Sequence, residues 1–251
     1  MCLIALAWNL HPRWRLLMAG NRDEFHARPS AALQRRGTPA RPVLAGRDLR
    51  SGGTWMGLAA NGRAAVVTNV RDPGAAREGC SRGHLVEDYL AGQDGAAAWA
   101  ARVAPQADRY PPFNLVLADQ GEARFVGNHP FAAGPLGDGI HALSNGAPDA
   151  PWPKSLHLAA ALRRWIDNGC DDPAPLWAAL ADRTVAPDAD LPDTGIGLDL
   201  ERQLSPAFIC GPAYGTRAST LLAIDHAGHG WIHERRFGAD GIFLGQTRLA
   251  L

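Results

Sequence analysis

Apolar positions along this chain fall mostly into short runs that alternate or run continuously, broken by Gly, Pro and Asn. Such runs of four to eight residues predict strands. "CLIALAWNL" (2–10) and "RLLMAG" (15–20) predict two strands joined across "HPRW". Residues 54–70 and 113–128 each predict a hairpin; the first turns at Asn61-Gly62, the strongest short hairpin signal. "GIHALSNG" (139–146) predicts a strand entering a polar turn, and 207–212, 216–225 and 230–238 predict three more strands. Helical spacing marks four segments: 81–92 with a Ser start and a Gly stop, 95–104, 153–169 and 174–183. Residues 184–206 carry five acids and no clear period, which predicts a long loop, a lid or a crossover. Strands toward both ends with helices grouped between them indicate an α+β fold on large antiparallel sheets.

Composition narrows the partners. The chain has 251 residues, enough for a substantial core in one domain spanning 1–251. Lys+Arg and Asp+Glu balance at 25 each, so no net basic surface argues for nucleic acid or an anionic membrane as the main partner. No apolar run reaches the ~18 residues of a membrane span, and "CLIALAWNL" lacks the pattern of a signal peptide. Cysteines at 2, 80, 170 and 210 include no CxxC pair, which disfavours a disulfide framework or structural zinc and makes a reducing cytoplasm the simplest location.

Two features carry candidate chemistry. Removal of the initiator Met would make Cys2 the N-terminal residue, with a thiol nucleophile and an α-amine base in one residue. The reference amine pKa of about 7.7–8.0 suits proton transfer near neutrality. The alternative is a small apolar core residue. The second feature is "AGNRDEF" (19–25). On an extended strand Asn21 and Asp23 share one face, Arg22 and Glu24 the other. A hairpin centred near 12–13 sets residue 2 opposite roughly residue 23, so Asp23 or Arg22 can reach the Cys2 amine and thiol. The competing reading is a solvated strand end.

With "NRDE" (21–24), "GGTWMGL" (52–58), "TNVR" (68–71), "LSNG" (143–146) and "YGTRASTLL" (214–222) in this order, the chain resembles the NRDE family, whose animal member is the transport and Golgi organisation protein two. That family is similar to the N-terminal nucleophile (Ntn) hydrolases, in the branch of choloylglycine hydrolase, penicillin V acylase and acid ceramidase. The resemblance implies a four-layer αββα sandwich. It implies Cys2 as nucleophile, Asp23 as the acid that positions it, Asn145 and Asn69 as oxyanion or substrate-amide groups, and Arg217 as the late-chain arginine beside the thiol. Asn21, Arg22, Trp55 and Arg71 are expected to contact substrate or ligand. The hydrolases carry arginine three residues before the aspartate; here that place is Gly20, and Arg22 is displaced about 7 Å along the strand.

Two functions follow as expectations. One is a cysteine amidohydrolase acting on a small-molecule acyl-amide C–N bond. The other is a carrier for an apolar anionic ligand, haem or acyl-CoA, since animal relatives are linked to haem trafficking and acyl-CoA metabolism. The sequence nominates no resident cofactor, no metal site at His226, His229 and His233, and no haem-ligating Cys or His motif. Eight tryptophans are many for this length, and Trp14, Trp55 and Trp152 near the motifs could line an apolar pocket. Nothing in the sequence specifies an oligomeric state.

Overall fold

The structure is a computed structural model that describes residues 2–75, 78–169 and 171–251. In chain order it forms β1 (Cys2–Trp8), β2 (Trp14–Phe25), β3 (Ser30–Thr38), β4 (Arg41–Asp48), β5 (Met56–Ala59), β6 (Arg63–Asn69), α1 (Arg82–Ala91) and α2 (Ala96–Val103). Next come β7 (Phe113–Ala118), β8 (Ala123–Asn128), β9 (Phe131–Pro135), β10 (Gly139–Leu143), α3 (Pro153–Asp167) and α4 (Ala174–Leu180). The chain closes with α5 (Leu198–Leu204), β11 (Tyr214–Asp225), β12 (Gly230–Phe237) and β13 (Phe243–Ala250).

The strands make two antiparallel sheets, one ordered β10-β1-β2-β11-β12-β13 and the other β3-β4-β5-β6-β7-β8-β9. Period-two alternation sorts their side chains into three apolar layers. Ile4, Leu6, Leu16 and Met18 meet Leu44, Leu58, Val66 and Val116 between the sheets. Leu3, Ala5, Leu17 and Ala19 point outward under Leu158, Leu162, Trp177 and Leu180 of α3 and α4. Ala45, Ala65, Leu115 and Leu117 do the same under Leu85, Tyr89 and Ala100 of α1 and α2. The result is the four-layer αββα sandwich of the Ntn-hydrolase type. Because β1 and β2 are covered on both faces, they read as continuous apolar runs.

The Asn61-Gly62 turn forms as expected, with both residues at positive φ. Three readings differ. Residues 207–212 are not a strand: Ile209 O accepts from Thr216 N–H while Ile209 N–H donates to the Thr216 hydroxyl, and Phe208 N–H donates to Asp182 O. Residues 184–206 are not all loop, since α5 forms inside them with Asp199 and Glu201 in its first turn. The β1–β2 hairpin is centred on residue 12, with Trp8 opposite Leu16 and Cys2 opposite Arg22. Asn9 takes φ 51° and its N–H closes on Arg15 O, so the register is one residue short of the 2–23 pairing.

Candidate functional site

At the Cys2 end of β1 the two sheets part around a cleft of about 380 Å³. Cys2, Arg22, Asp23, Trp55, Asn69 and Arg217 all line it, so six of the nine sequence-predicted residues converge there. Arg22 lies on the Cys2 face of the ladder and Asp23 beside the chain start on the other face. Residue 1, and with it the fate of the initiator methionine, lies outside the described residues, as does Cys170.

Cys2 is a free thiol with only 6% of its surface exposed, at the cleft wall. Burial pushes the thiol up from its ordinary value; Asp23 and Glu24 add to this and Arg22 opposes it. A thiol in that state needs a base to become a nucleophile. Asp23 is buried and accepts a 2.7 Å bond from the Thr216 hydroxyl, its cross-strand partner. Burial pushes its carboxyl up, while Lys154, Thr216 and Arg22 pull it down.

Arg217 reaches the cleft through a local irregularity. The β2–β11 register shifts between Thr216 and Ala218, leaving Arg217 as the extra residue of a β-bulge. Its guanidinium donates to Phe25 O, Arg28 O and the Ser30 hydroxyl rather than to a carboxylate. Arg22 sits 3.8 Å from Glu24, which also faces Arg28. Gly20 has no room for a side chain: a Cβ there would fall 2.4 Å from Ile4 Cδ1 and 2.7 Å from Leu3 O.

The other three predicted residues lie off the cleft wall, for identifiable reasons. Asn21 points into the helix layer, where Nδ2 donates to Leu180 O and Ala207 O and Oδ1 accepts from Ser219. Arg71 is engaged by Glu201 in a buried ion pair and lies over the Trp152 ring. Asn145 is fully buried behind Asn69, with Nδ2 donating to Asn69 O and Oδ1 without a partner among the described residues. Its loop is a clasp between the sheets. Ser144 bonds Cys2 O, Arg71 N–H bonds Asn145 O, and Asn114 bonds Gly146 O. The clasp fixes β1, β6 and β7 relative to one another at the cleft end. Trp152 packs against Gly146, and Trp14 lines a separate cavity.

Two cations at the site escaped the motif reading. Arg82, the first residue of α1, lines the cleft, donates to Pro112 O and faces Cys2. Its helix is seated by a close approach between Gly53 and Gly83, where a Cβ on Gly53 would lie 2.4 Å from the Gly83 carbonyl carbon. Lys154 is buried under the site at the start of α3, and its Nζ donates to Leu204 O. The available signal for Arg82 was its place just after the Ser start of a predicted helix. The signal for Lys154 is that it is the only lysine in the chain.

Among the described residues no group of three His, Cys, Asp or Glu side chains stands close enough to hold a metal ion, and no helix is long and apolar enough to cross a membrane.

Residues 1–239 match the family model described as Transport and Golgi organisation 2. The Transport and Golgi organization protein 2 homologs of Bos taurus and Homo sapiens are each 30% identical, covering 94% of this chain and 92% of the relative. Among solved structures, a Caenorhabditis elegans N-acylethanolamine-hydrolyzing acid amidase ortholog superposes with a TM-score of 0.53 at 12% identity, over 90% of this chain and 93% of that one. The C2A mutant of a conjugated bile acid hydrolase from Clostridium perfringens gives 0.50 at 9% identity, over 100% and 92%. At these identities the likeness is one of fold.

Proposed function

The chain belongs to the Transport and Golgi organisation 2 family, and from that membership and the cleft we propose a cysteine amidohydrolase acting on a non-peptide acyl-amide C–N bond. The observation that carries this reading is the Cys2 thiol on the wall of one open cleft with Asn69, and Asp23 beside the chain start on the other face of the same sheet. With residue 1 removed, the Cys2 amine takes the thiol proton while Asp23 holds that amine. The sulfur bonds to the acyl carbon, and Asn69, with Asn145 behind it, stands by the developing oxyanion. Collapse breaks the C–N bond and the leaving amine takes the proton. Water then attacks the thioester, releasing the acid and restoring the thiol. The two fold neighbours named as hydrolases of N-acylethanolamines and conjugated bile acids make this chemistry a natural use of the scaffold.

The test is an intact-mass measurement of the N-terminus followed by an acyl-amide panel. The expected result is loss of Met1, turnover of at least one amide, and loss of that turnover in Cys2→Ala. Retained methionine with no turnover overturns the reading.

One observation favours a second reading, a carrier for haem or acyl-CoA. Arg82 and Arg217 on the cleft wall bond backbone carbonyls instead of carboxylates, and Arg236 has a buried Nε with no partner among the described residues, so the cleft suits an anion. A Soret band on adding haem, or a melting shift with acyl-CoA, each indifferent to Cys2→Ala, would favour it.

A further inference from the structure

The face that packs between the two sheets changes character at its cleft end. Deeper in, it is built from Met18 of β2, Leu222 of β11 and Ile232 of β12. Four residues along each of those strands toward the cleft, one cross-strand row reads Cys2, Arg22, Ala218, Arg236 and Gly245, on β1, β2, β11, β12 and β13 in turn. Directly opposed residues share a face and neighbouring strands lie about 4.8 Å apart. Arg22 and Arg236 therefore stand about 10 Å apart at their α-carbons, with only the Ala218 methyl between them. Cys2, Arg22, Ala218 and Arg236 all line the cleft.

Charge on that wall is lopsided. Among the described residues six arginines and four acids line it, an excess of cations that the acids do not use up. Each acid has a partner: Asp23 the Thr216 hydroxyl, Glu24 the Phe25 N–H, Asp48 the Arg28 guanidinium and Glu234 the Leu33 N–H. Arg47, Arg82 and Arg217 donate to Gly52 O, Pro112 O and Phe25 O. Arg22 and Arg236 differ, because neither makes a side-chain hydrogen bond among the described residues. Arg22 has the approach of Glu24 at 3.8 Å, and Arg236 keeps a buried Nε without a partner there. A buried guanidinium N–H with no acceptor is costly, and acid oxygens satisfy it. Trp55, Phe237 and Leu244 add apolar surface to the same wall.

We propose that the wall over Ala218, between Arg22 and Arg236, is an acid-binding subsite, and that the cleft takes an amide with a short apolar arm ending in an acid group, a carboxylate or a phosphate-like head, about two strand spacings from the carbonyl that meets Cys2. That the bound molecule is cleaved rests on the amidohydrolase reading; the acid subsite does not. The thiol and the subsite lie on one face, so one extended molecule touches both. Glu24 and Glu234, each two residues from its arginine on the same strand and also on the wall, repel an acid placed beyond the row on either side and confine it to the row.

Thiol-reactive probes of one arm length test the subsite without any turnover. An iodoacetamide whose nitrogen carries a hexanoate arm places its carboxylate about 10 Å from the alkylated sulfur, two strand spacings away, and the matched methylamide ends neutral. Both alkylate the same sulfur, so their rate ratio at Cys2, read by peptide-resolved mass spectrometry, cancels the reactivity of the thiol itself. In the unaltered chain the carboxylate probe is expected to react about tenfold faster than the methylamide. Arg236→Met is expected to reduce that ratio about threefold or more, and Ala218→Asp, which sets an acid between the two arginines, to bring it to about one. A phosphonate probe on the same arm is run beside the carboxylate, and the faster of the two identifies the head group. A ratio near one for both acid probes in the unaltered chain overturns the subsite, as does an acid preference that either variant leaves in place. If Ala218→Asp does not fold, the unaltered chain and Arg236→Met decide. Hydrolysis of matched acid-bearing and neutral amides separates the two readings. Acid-preferring alkylation with no amide turnover would overturn the amidohydrolase and leave the subsite standing; turnover with no preference for the acid-bearing amide would do the reverse.

Discussion

Cys2 stands directly across the β1–β2 ladder from Arg22, on the face that opens into the cleft, while Asp23 occupies the opposite face one residue further along. The thiol therefore feels a cation on its own face and an acid beside the chain start. This signs the effect of each neighbour. Arg22→Met is expected to raise the thiol further and slow its alkylation by iodoacetamide at pH 7.5 about three- to tenfold, since each pKa unit is a factor of ten in thiolate. Glu24→Gln is expected to speed it. Peptide-resolved mass spectrometry of Cys2 measures both; equal rates in all three proteins would refute the assigned neighbourhood.

Gly20 lies two residues before Arg22 on β2, directly across from Ile4 of β1. Its α-carbon faces Ile4 so closely that any Cβ meets Ile4 Cδ1 and Leu3 O. Gly20→Ala is expected to cost about 1–3 kcal/mol by overpacking, seen as a lower urea midpoint. Adding Ile4→Val removes the Cδ1 contact and not the carbonyl one, so the double variant should recover only part of the loss.

The cleft was largely legible before the fold was seen, because its parts sit at strand ends that hydrophobic runs place. "NRDE" ends one apolar run and Cys2 begins another, and a hairpin brings them together whatever its exact register. What the pattern could not supply was the exact register within the expected centre near 12–13: with Asn9 at positive φ the hairpin centres on residue 12, and Arg22 stands across from Cys2. β3, at the edge of its sheet, and β4 beside it, in residues 30–48, were missed because Gln34, Arg35, Arg36 and Arg41 dilute their alternation. "AFICGP" has strand-like residues but no ladder, since the Thr216 side chain takes part of its bonding. Lys154 was passed over because a lysine on an amphipathic helix is normally exposed.

Asn21 shows that a motif residue can serve the scaffold. Its amide joins Leu180 O, Ala207 O and Ser219 at the underside of the sheet. Asn21→Leu is expected to cost about 3 kcal/mol, because several buried polar groups lose partners at once. Ligand affinity or KM, measured on the folded fraction at low temperature, should stay within about twofold, as expected for a residue that touches no ligand. A selective loss of affinity without loss of stability would return Asn21 to the ligand site.

The Arg71–Glu201 pair is buried on both sides, with Arg71 also over Trp152, so its two halves should not be separable. Glu201→Leu is expected to destabilise by about 3–5 kcal/mol, since an unpaired buried guanidinium remains. Arg71→Met in the same background should recover much of that loss. Thermal and denaturant unfolding of the two single variants and the double variant measures the coupling.

A second pH-sensitive element lies at the base of the Ser144–Asn145 clasp. His141 meets Asp149 at 3.0 Å through Nδ1 and Gly137 O at 2.9 Å through Nε2, so a protonated ring satisfies both acceptors. The bond to Asp149 raises His141 above its usual value. Burial works against Asp149, but His141 and the Ala142 N–H together hold its carboxyl below the usual range. For the histidine, the native state binds more protons than the unfolded chain, so its contribution is full below about pH 6.5 and disappears as pH rises through the raised value. For the aspartate, the contribution is present above about pH 3.9 and disappears as pH falls through the lowered value. The pair thus stabilises most in the mildly acidic window between the two. His141→Gln is expected to lower stability by up to about 1 kcal/mol at pH 5.5, a modest figure because Asp149 is half-exposed, and by much less at pH 8.5. Melting curves of both proteins at the two pH values test this; an equal difference at both would remove the charge from the clasp and leave only its hydrogen bonds.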